Sequence, residues 1–332
     1  HIKCAQLEYG TRGWRLEALA SIPRSGNGPG IDAEEVRRLA DVLYRRGFTG
    51  NVVNLSVPPE QLLTANLELP PRSGEAPLDQ IALLEFARSQ KQEPTALEFS
   101  YWDLPAPARA TRATHVMGVG CAHADAMLLL DAFDTAGLEV MRLDAETCAL
   151  TAAAAPLMAV PGEITALLDI GWQSVRFMIV HQGLVSYRRS LGGYGVERLR
   201  KALADELGIP AEQTIDHLLR TIGLADGDGD GLDAAALDEA RQLLRSHFDA
   251  VAAELATSLS YAAHQYPDAP VRRVLGVGGG AGVPGVCQHL ARRLEVPTQP
   301  VQVSDVLDCS TTVDQNIGPS AILAIGLAQE AE

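Results

Sequence analysis

Residues 165–195 read Thr165-Ala-Leu-Leu-Asp169-Ile-Gly171-Trp-Gln-Ser174-Val-Arg-Phe-Met-Ile-Val-His-Gln-Gly183-Leu-Val-Ser-Tyr-Arg-Arg-Ser-Leu-Gly192-Gly193-Tyr-Gly195. An apolar strand ends in Asp169-Ile170-Gly171. A short loop carrying Ser174 follows, then a second strand, a turn at Gly183 and a third strand. A carboxylate at a strand end beside a glycine turn is an arrangement that meets Mg²⁺ and terminal phosphates. The carboxylate or its waters hold the metal, while backbone N–H groups and a hydroxyl hold phosphate oxygens.

About a hundred residues on, Val274-Leu-Gly276-Val-Gly278-Gly279-Gly280-Ala281-Gly282-Val283-Pro284-Gly285 reads as strand, glycine loop and helix. Glycines allow close approach of backbone to a flat or anionic ligand. The spacing departs from the dinucleotide fingerprint G-x-G-x-x-G, because Ala281 and Val283 stand where a third glycine is needed. Alone, such a turn is equally well structural; its position after the Asp169 hairpin gives it weight.

The 332 residues suit one large or two medium domains, and 47% are apolar, enough for a sizeable core. A net charge of −15 argues against nucleic acid and against direct adsorption to anionic lipid. Five scattered cysteines read as reduced thiols of a cytoplasmic protein. No apolar run reaches transmembrane length and no signal peptide is visible. The chain begins at His1-Ile2-Lys3 within an expected strand, so residues upstream are expected.

Along the chain, residues 2–22 alternate around Gly10–Gly13 as a hairpin. Asp32 with Glu35 opens a helix whose apolar face is Val36, Leu39, Ala40 and Leu43. Strands are expected over 52–57, 63–69, 97–101 and 115–121, with helices over 78–89 and 125–137. A short strand at 139–143 leads to a helix over 146–154. Later helices are expected over 196–207, 211–222, 232–264, 283–294 and 320–329, and strands over 271–276 and 298–303. Both halves follow a plan of hairpin then helices, as an internally duplicated fold does.

This order of elements resembles the actin/Hsp70-like ATPase superfamily. Within it the chain resembles the type IV pilus assembly protein PilM family and its MSHA-pilus relatives, in the FtsA-like branch. Leu168-Asp169-Ile170-Gly171, Leu191-Gly192-Gly193, Ala211-Glu212, the loop at 277–285 and Ile325-Gly326-Leu327-Ala328 carry the likeness. The resemblance implies an α/β, ribonuclease H-like duplicated fold of two lobes. Residues 1–51 and 119–160 would form the first lobe, with its first phosphate strand upstream. Residues 52–118 would be an inserted α+β, SHS2-like subdomain. Residues 161–200 and 268–332 would form the second lobe, and 201–267 its helical part.

The same resemblance implies ATP and Mg²⁺ as cofactors. Asp169, Gly171 and Ser174 would form the second phosphate loop, with Asp169 toward the metal. Gly192 and Gly193 would floor the cleft, and Gly278, Gly279 and Gly280 would face the adenosine. Glu146 falls where relatives carry an acid that orients the attacking water; an acid complementing a helix dipole explains it equally well. The departures count too. Trp172-Gln173 replace small residues in the phosphate loop, and His217 and Leu219 stand where relatives hold the purine and ribose, with Arg220 the nearest cation. These losses imply weak or absent ATP hydrolysis.

Asp226-Gly-Asp228-Gly-Asp230-Gly231 matches half of a calcium loop, but Leu237 stands at the closing position, so a solvated acidic loop is expected. Eight histidines without zinc spacing, and no Gly-x-Ser-x-Gly elbow, give no other chemistry. Tyr101-Trp102 reads as core in preference to a partner groove. By resemblance, the function is a cytoplasmic scaffold, peripheral to the inner membrane, in a pilus assembly platform. It would bind the cytoplasmic tail of a PilN-like inner-membrane protein between the first lobe and the insertion, touching the membrane only through that partner, with self-association open. The alternatives are an active ATPase or sugar-kinase-type phosphotransferase of this fold, and an FtsA-like filament-forming division protein.

Overall fold

A computed structural model of the chain describes all residues except 12, 27–29, 73–75, 106–112, 159, 161, 209–211, 226–232, 310–316 and 330–332. The half-calcium loop at 226–231 and Ala211 lie outside the described residues. Strands β1 (Ile2–Gly10) and β2 (Gly13–Ile22) pair as an antiparallel hairpin. Asp32 caps helix α1 (Ala33–Arg45), its carboxylate accepting from the Glu35 N–H at 2.8 Å. Strand β3 (Val52–Ser56) then leads into the insertion.

The insertion runs β4 (Leu63–Leu69), α2 (Leu78–Gln90), β5 (Leu97–Asp103) and β6 (Thr114–Ala122). Its sheet is antiparallel in the order β4-β6-β5. Phe86 of α2 lies on Gly118 and Gly120 of β6, where a Cβ would come within 2.8 Å and 3.0 Å of its ring. Those glycines let the helix sit close to the sheet. Helix α3 (His123–Thr135) follows β6 without a break, and β7 (Glu139–Asp144) returns parallel to β3. Helix α4 (Glu146–Ala154) ends this half.

The second half begins with a meander of β8 (Ile164–Ile170), β9 (Ser174–His181) and β10 (Leu184–Gly192). Helices α5 (Val196–Leu207), α6 (Glu212–His217) and α7 (Ala234–Gln265) follow, α6 running into a π-helical turn over Leu218–Ile222. Strand β11 (Val271–Val277), α8 (Val286–Leu294), β12 (Thr298–Pro300), α9 (Val303–Val306) and α10 (Ile322–Ala328) complete the chain. The sheet order is β10-β9-β8-β11-β12, with β11 parallel to β8 and β12. The first half repeats part of this plan, an antiparallel pair β1–β2 and then a parallel pair β3–β7.

Side chains alternate across the five-stranded sheet and define two cores. Ile164, Ala166, Leu168 and Ile170 of β8 face α5, α7 and α8 together with Val175, Phe177 and Ile179. Leu167, Met178, Val180, Leu275 and Val277 face the other way, onto Leu150 of α4, Ile322 and Ile325 of α10, and Leu16 of β2. The two halves therefore share the second core.

Two expected elements differ. The helix expected from Val283 starts at Val286, because Gly279–Gly282 form a 3₁₀ turn and Pro284-Gly285 follow it. The strand expected over 298–303 stops at Pro300, because Gln302 and Asp305 form a capping box that begins α9. Trp102 packs against the second core, as expected, and does more. Its indole N–H donates to the Val185 carbonyl of β10 at 2.9 Å, tying the insertion to the second half.

Candidate functional site

The hairpin register decides the chemistry at Asp169. Gly171 N–H donates to the Ser174 carbonyl at 3.0 Å, closing a tight turn. That turn sets Asp169 opposite Arg176 and Ile170 opposite Val175. Directly opposite residues of an antiparallel pair share a face. Both Asp169 and Arg176 thus point away from the α5–α7–α8 core, toward α4. The Arg176 guanidinium donates to Asp169 Oδ2 through Nε, at 3.0 Å, and Nη2. Its Nη1 reaches Ser174 Oγ at 3.4 Å.

The chain of charges continues into α4. Glu146 is the first residue of that helix and is fully buried. Arg176 Nε stands 3.7 Å from Glu146 Oε1. Arg188 of β10 donates to the same oxygen through Nε at 3.2 Å and Nη2 at 2.6 Å. Glu146 Oε2 has no hydrogen-bond partner among the described residues. Two acids and two guanidinium groups form one buried cluster whose charges sum to zero. Burial alone would lower the Arg176 pKa; Asp169 first, then Glu146 and the more distant Glu60, hold it above the ordinary guanidinium value.

The glycine positions fall into two groups. A Cβ on Gly278 would overlap Asp169 Oδ1, and one on Gly280 would overlap Ile170 Cγ2. These two let the 3₁₀ turn pack hard on the end of β8, and Gly278 has φ +81°. Gly192, Gly193 and Gly279 face open space, with nothing within 4 Å of a Cβ. Trp172 points outward, 54% exposed, with Arg200 over its ring at 5.6 Å. His217 contacts Thr221 at 3.5 Å in the π-helical turn, while Arg220 lies close enough to Lys3 of β1 to help burial lower that amine's pKa.

The resemblance assigns ATP and Mg²⁺ to this place, and the donor set tests the fit. Mg²⁺ needs ionised oxygens with room for its waters. Asp169 Oδ2 is instead taken by a guanidinium, Gly278 lies against Oδ1, and the nearest other acid is already bound by Arg188. The metal end does not fit as the residues stand. Open space at Gly192, Gly193 and Gly279 remains beside it. Among the described residues no group of three or more His, Cys, Asp or Glu could hold a metal ion. A separate open cleft, lined by Trp14, Ala152, Pro156, Asp305 and Leu307, holds none of the predicted site residues.

The sequence reading missed Arg176 and Arg188. The signal for Arg176 was present: a hairpin turning at Gly171–Ser174 places 176 across from 169. Arg188 was hidden by the irregular register between Val185 and Tyr187, which shifts the facing of β10.

The strand order, the shared second core and the carboxylate at the β8 end define an actin-like α/β protein. The chain belongs to the family of the type IV pilus assembly protein PilM, whose profile matches residues 2–332. Its fold is similar to that of a PilM-PilN type IV pilus biogenesis complex, with a TM-score of 0.76 at 20% identity over 98% of this chain and 93% of that one. A lesser likeness, TM-score 0.42 at 19% identity, covers 62% of this chain and 62% of the ethanolamine utilization protein EutJ from Carboxydothermus hydrogenoformans. Another, TM-score 0.43 at 15% identity, covers 79% of this chain and 56% of a diol dehydratase-reactivating factor in nucleotide-free form. No curated protein matches the chain.

Proposed function

We propose that this pilus assembly protein is a cytoplasmic scaffold that captures the tail of a PilN-like inner-membrane protein. The family match over residues 2–332 carries this reading and favours it over the kinase and division-filament alternatives. The fold it shares with the protein of the PilM-PilN complex supports the choice of partner. No helix among the described residues is long and apolar enough to cross a membrane, and a net charge of −15 disfavours adsorption to anionic lipid. Contact with the membrane then runs through the partner.

The tail would lie between the β3–β7 pair and the inserted sheet. Strand addition suits that place, since β7 pairs only with β3, and β4 only with β6, among the described residues. The inserted unit β4–α2–β5–β6, without β3, acts in this reading as the subdomain that shapes the groove. Nucleotide turnover is not required for such capture. A labelled PilN-type tail peptide, titrated by fluorescence anisotropy and mapped by hydrogen exchange, tests the proposal. Saturable binding with protection on β7 or β4 is expected. A folded protein showing neither binding nor protection would remove the reading.

A further inference from the structure

The buried cluster Asp169–Arg176–Glu146–Arg188 is larger than any single role given to its members. It joins α4, which closes the first half, to three places on the second-half sheet: β8, β9 and β10. Its side chains are at most 10% exposed, so each charge depends on the others for compensation. By the family resemblance, the cation expected at Asp169 is a metal, with Glu146 orienting water beside it. Here a guanidinium of the chain stands between these two acids.

We propose that Arg176 is a built-in replacement for the metal, so that α4 and the β8–β9 hairpin are held together without Mg²⁺. Three observations carry this. First, Arg176 reaches both acids at once, bonding Asp169 Oδ2 through Nε at 3.0 Å and standing 3.7 Å from Glu146 Oε1. Secondly, Arg188 completes neutrality, and a divalent ion added to a cluster of zero net charge would bring two uncompensated positive charges into a buried place. Thirdly, the hairpin turn fixes Arg176 opposite Asp169, so the arrangement is built by backbone register and not by a mobile side chain alone. Gly278, packed against Asp169 Oδ1, brings no side chain to that carboxylate. A tie that needs no ligand suits a scaffold that presents a constant surface. The inference stands independently of tail binding.

The test is Mn²⁺ binding to the full chain, with and without ATP, followed by electron paramagnetic resonance. The wild type is expected to give no Asp169-dependent Mn²⁺ signal, as judged against Asp169→Asn. Arg176→Gln keeps a polar amide but removes the guanidinium, freeing Asp169 while Glu146 stays with Arg188. It is expected to raise Mn²⁺ affinity about tenfold or more, about 1.4 kcal/mol per decade. The double variant Asp169→Asn with Arg176→Gln should lose that gain. A folded Arg176→Gln with no gain overturns the proposal. Should Arg176→Gln fail to fold, the wild type decides alone: Mn²⁺ held through Asp169 overturns the inference, and its absence up to millimolar Mn²⁺·ATP upholds it.

Discussion

Arg188 places both Nε and Nη2 on one oxygen of Glu146, at 3.2 Å and 2.6 Å, across the boundary between α4 and the second-half sheet. The pair is buried, with Glu146 fully enclosed and the Arg188 side chain 7% exposed. Removing one member of such a pair leaves an uncompensated charge and costs about 3–5 kcal/mol. Arg188→Ala is therefore expected to lower the unfolding free energy by about that amount. Arg188→Lys keeps the charge and should lose distinctly less. Urea denaturation of the two variants beside the wild type checks both.

The glycine loop offers a paired prediction. Gly280→Ala forces a methyl into Ile170 Cγ2 and within 3.0 Å of Val196 Cγ2. Overpacking of this kind costs about 1–3 kcal/mol. Gly279→Ala meets nothing within 4 Å and should stay within about 0.5 kcal/mol of the wild type. Equal losses at the two positions in thermal unfolding would show that the turn does not pack on β8 as described.

These two predictions also mark what the sequence disclosed. The strand–turn–strand at Asp169, the helix over 146–154 and the Gly278–Gly280 turn were all legible, because alternation, turn residues and caps are local signals. The use of Asp169 was not. A motif names the residue at a strand end, whereas its partner is set by what stands across the hairpin and across the core. Asp169 and Glu146 lie 23 positions apart, and only the packing of α4 onto the sheet brings them to one guanidinium. Gly278 and Gly280 carry the same lesson: glycine before a helix reads as a ligand cradle, yet here a strand end fills the space.

Stability should fall on the acid side because desolvation favours the neutral form of two histidines, the buried His181 and the half-buried His247. His181 lies edge-on to Tyr266, and burial lowers its pKa. His247 contacts the Tyr194 carbonyl through Nε2 at 2.9 Å; burial lowers its pKa, and the neighbouring Arg198 adds to this against the pull of that carbonyl. With folded values below the unfolded one, the unfolded chain binds more protons once pH drops below about 6.5. The stability contribution is then whole above that pH and is lost as pH falls toward the folded values. Chemical denaturation at a series of pH values should show this slope, and His181→Phe should flatten part of it.

The thiols should differ in reactivity. Burial pushes Cys287 up to about 12, and Cys4 and Cys148 to about 11, while Cys309 is raised less and stands half-buried beside Leu307. The thiolate is the reactive form. Alkylation of the folded protein near neutral pH, read by mass spectrometry, is expected to label Cys309 first and Cys287 only on unfolding. Early labelling of Cys287 would mean that the β11–α8 layer opens readily.

Tail capture by strand addition makes a prediction that separates two kinds of anchor. Met141 is the extra residue in β7 where its register with β3 shifts, and it is 66% exposed. A strand added to the open edge of β7 would pass this side chain, so Met141→Arg should weaken peptide binding about tenfold, or 1.4 kcal/mol. Being exposed, the substitution should leave folding stability within about 0.5 kcal/mol of the wild type. Leu128 of α3, 70% exposed, belongs to a helix packed on β6 and β7 but turns its side chain to solvent. If Leu128→Arg weakens binding while Met141→Arg does not, the tail docks as an apolar anchor on α3 in place of a strand on β7. Anisotropy titrations of the two variants decide between these, because each substitution adds the same charge and differs only in where it stands.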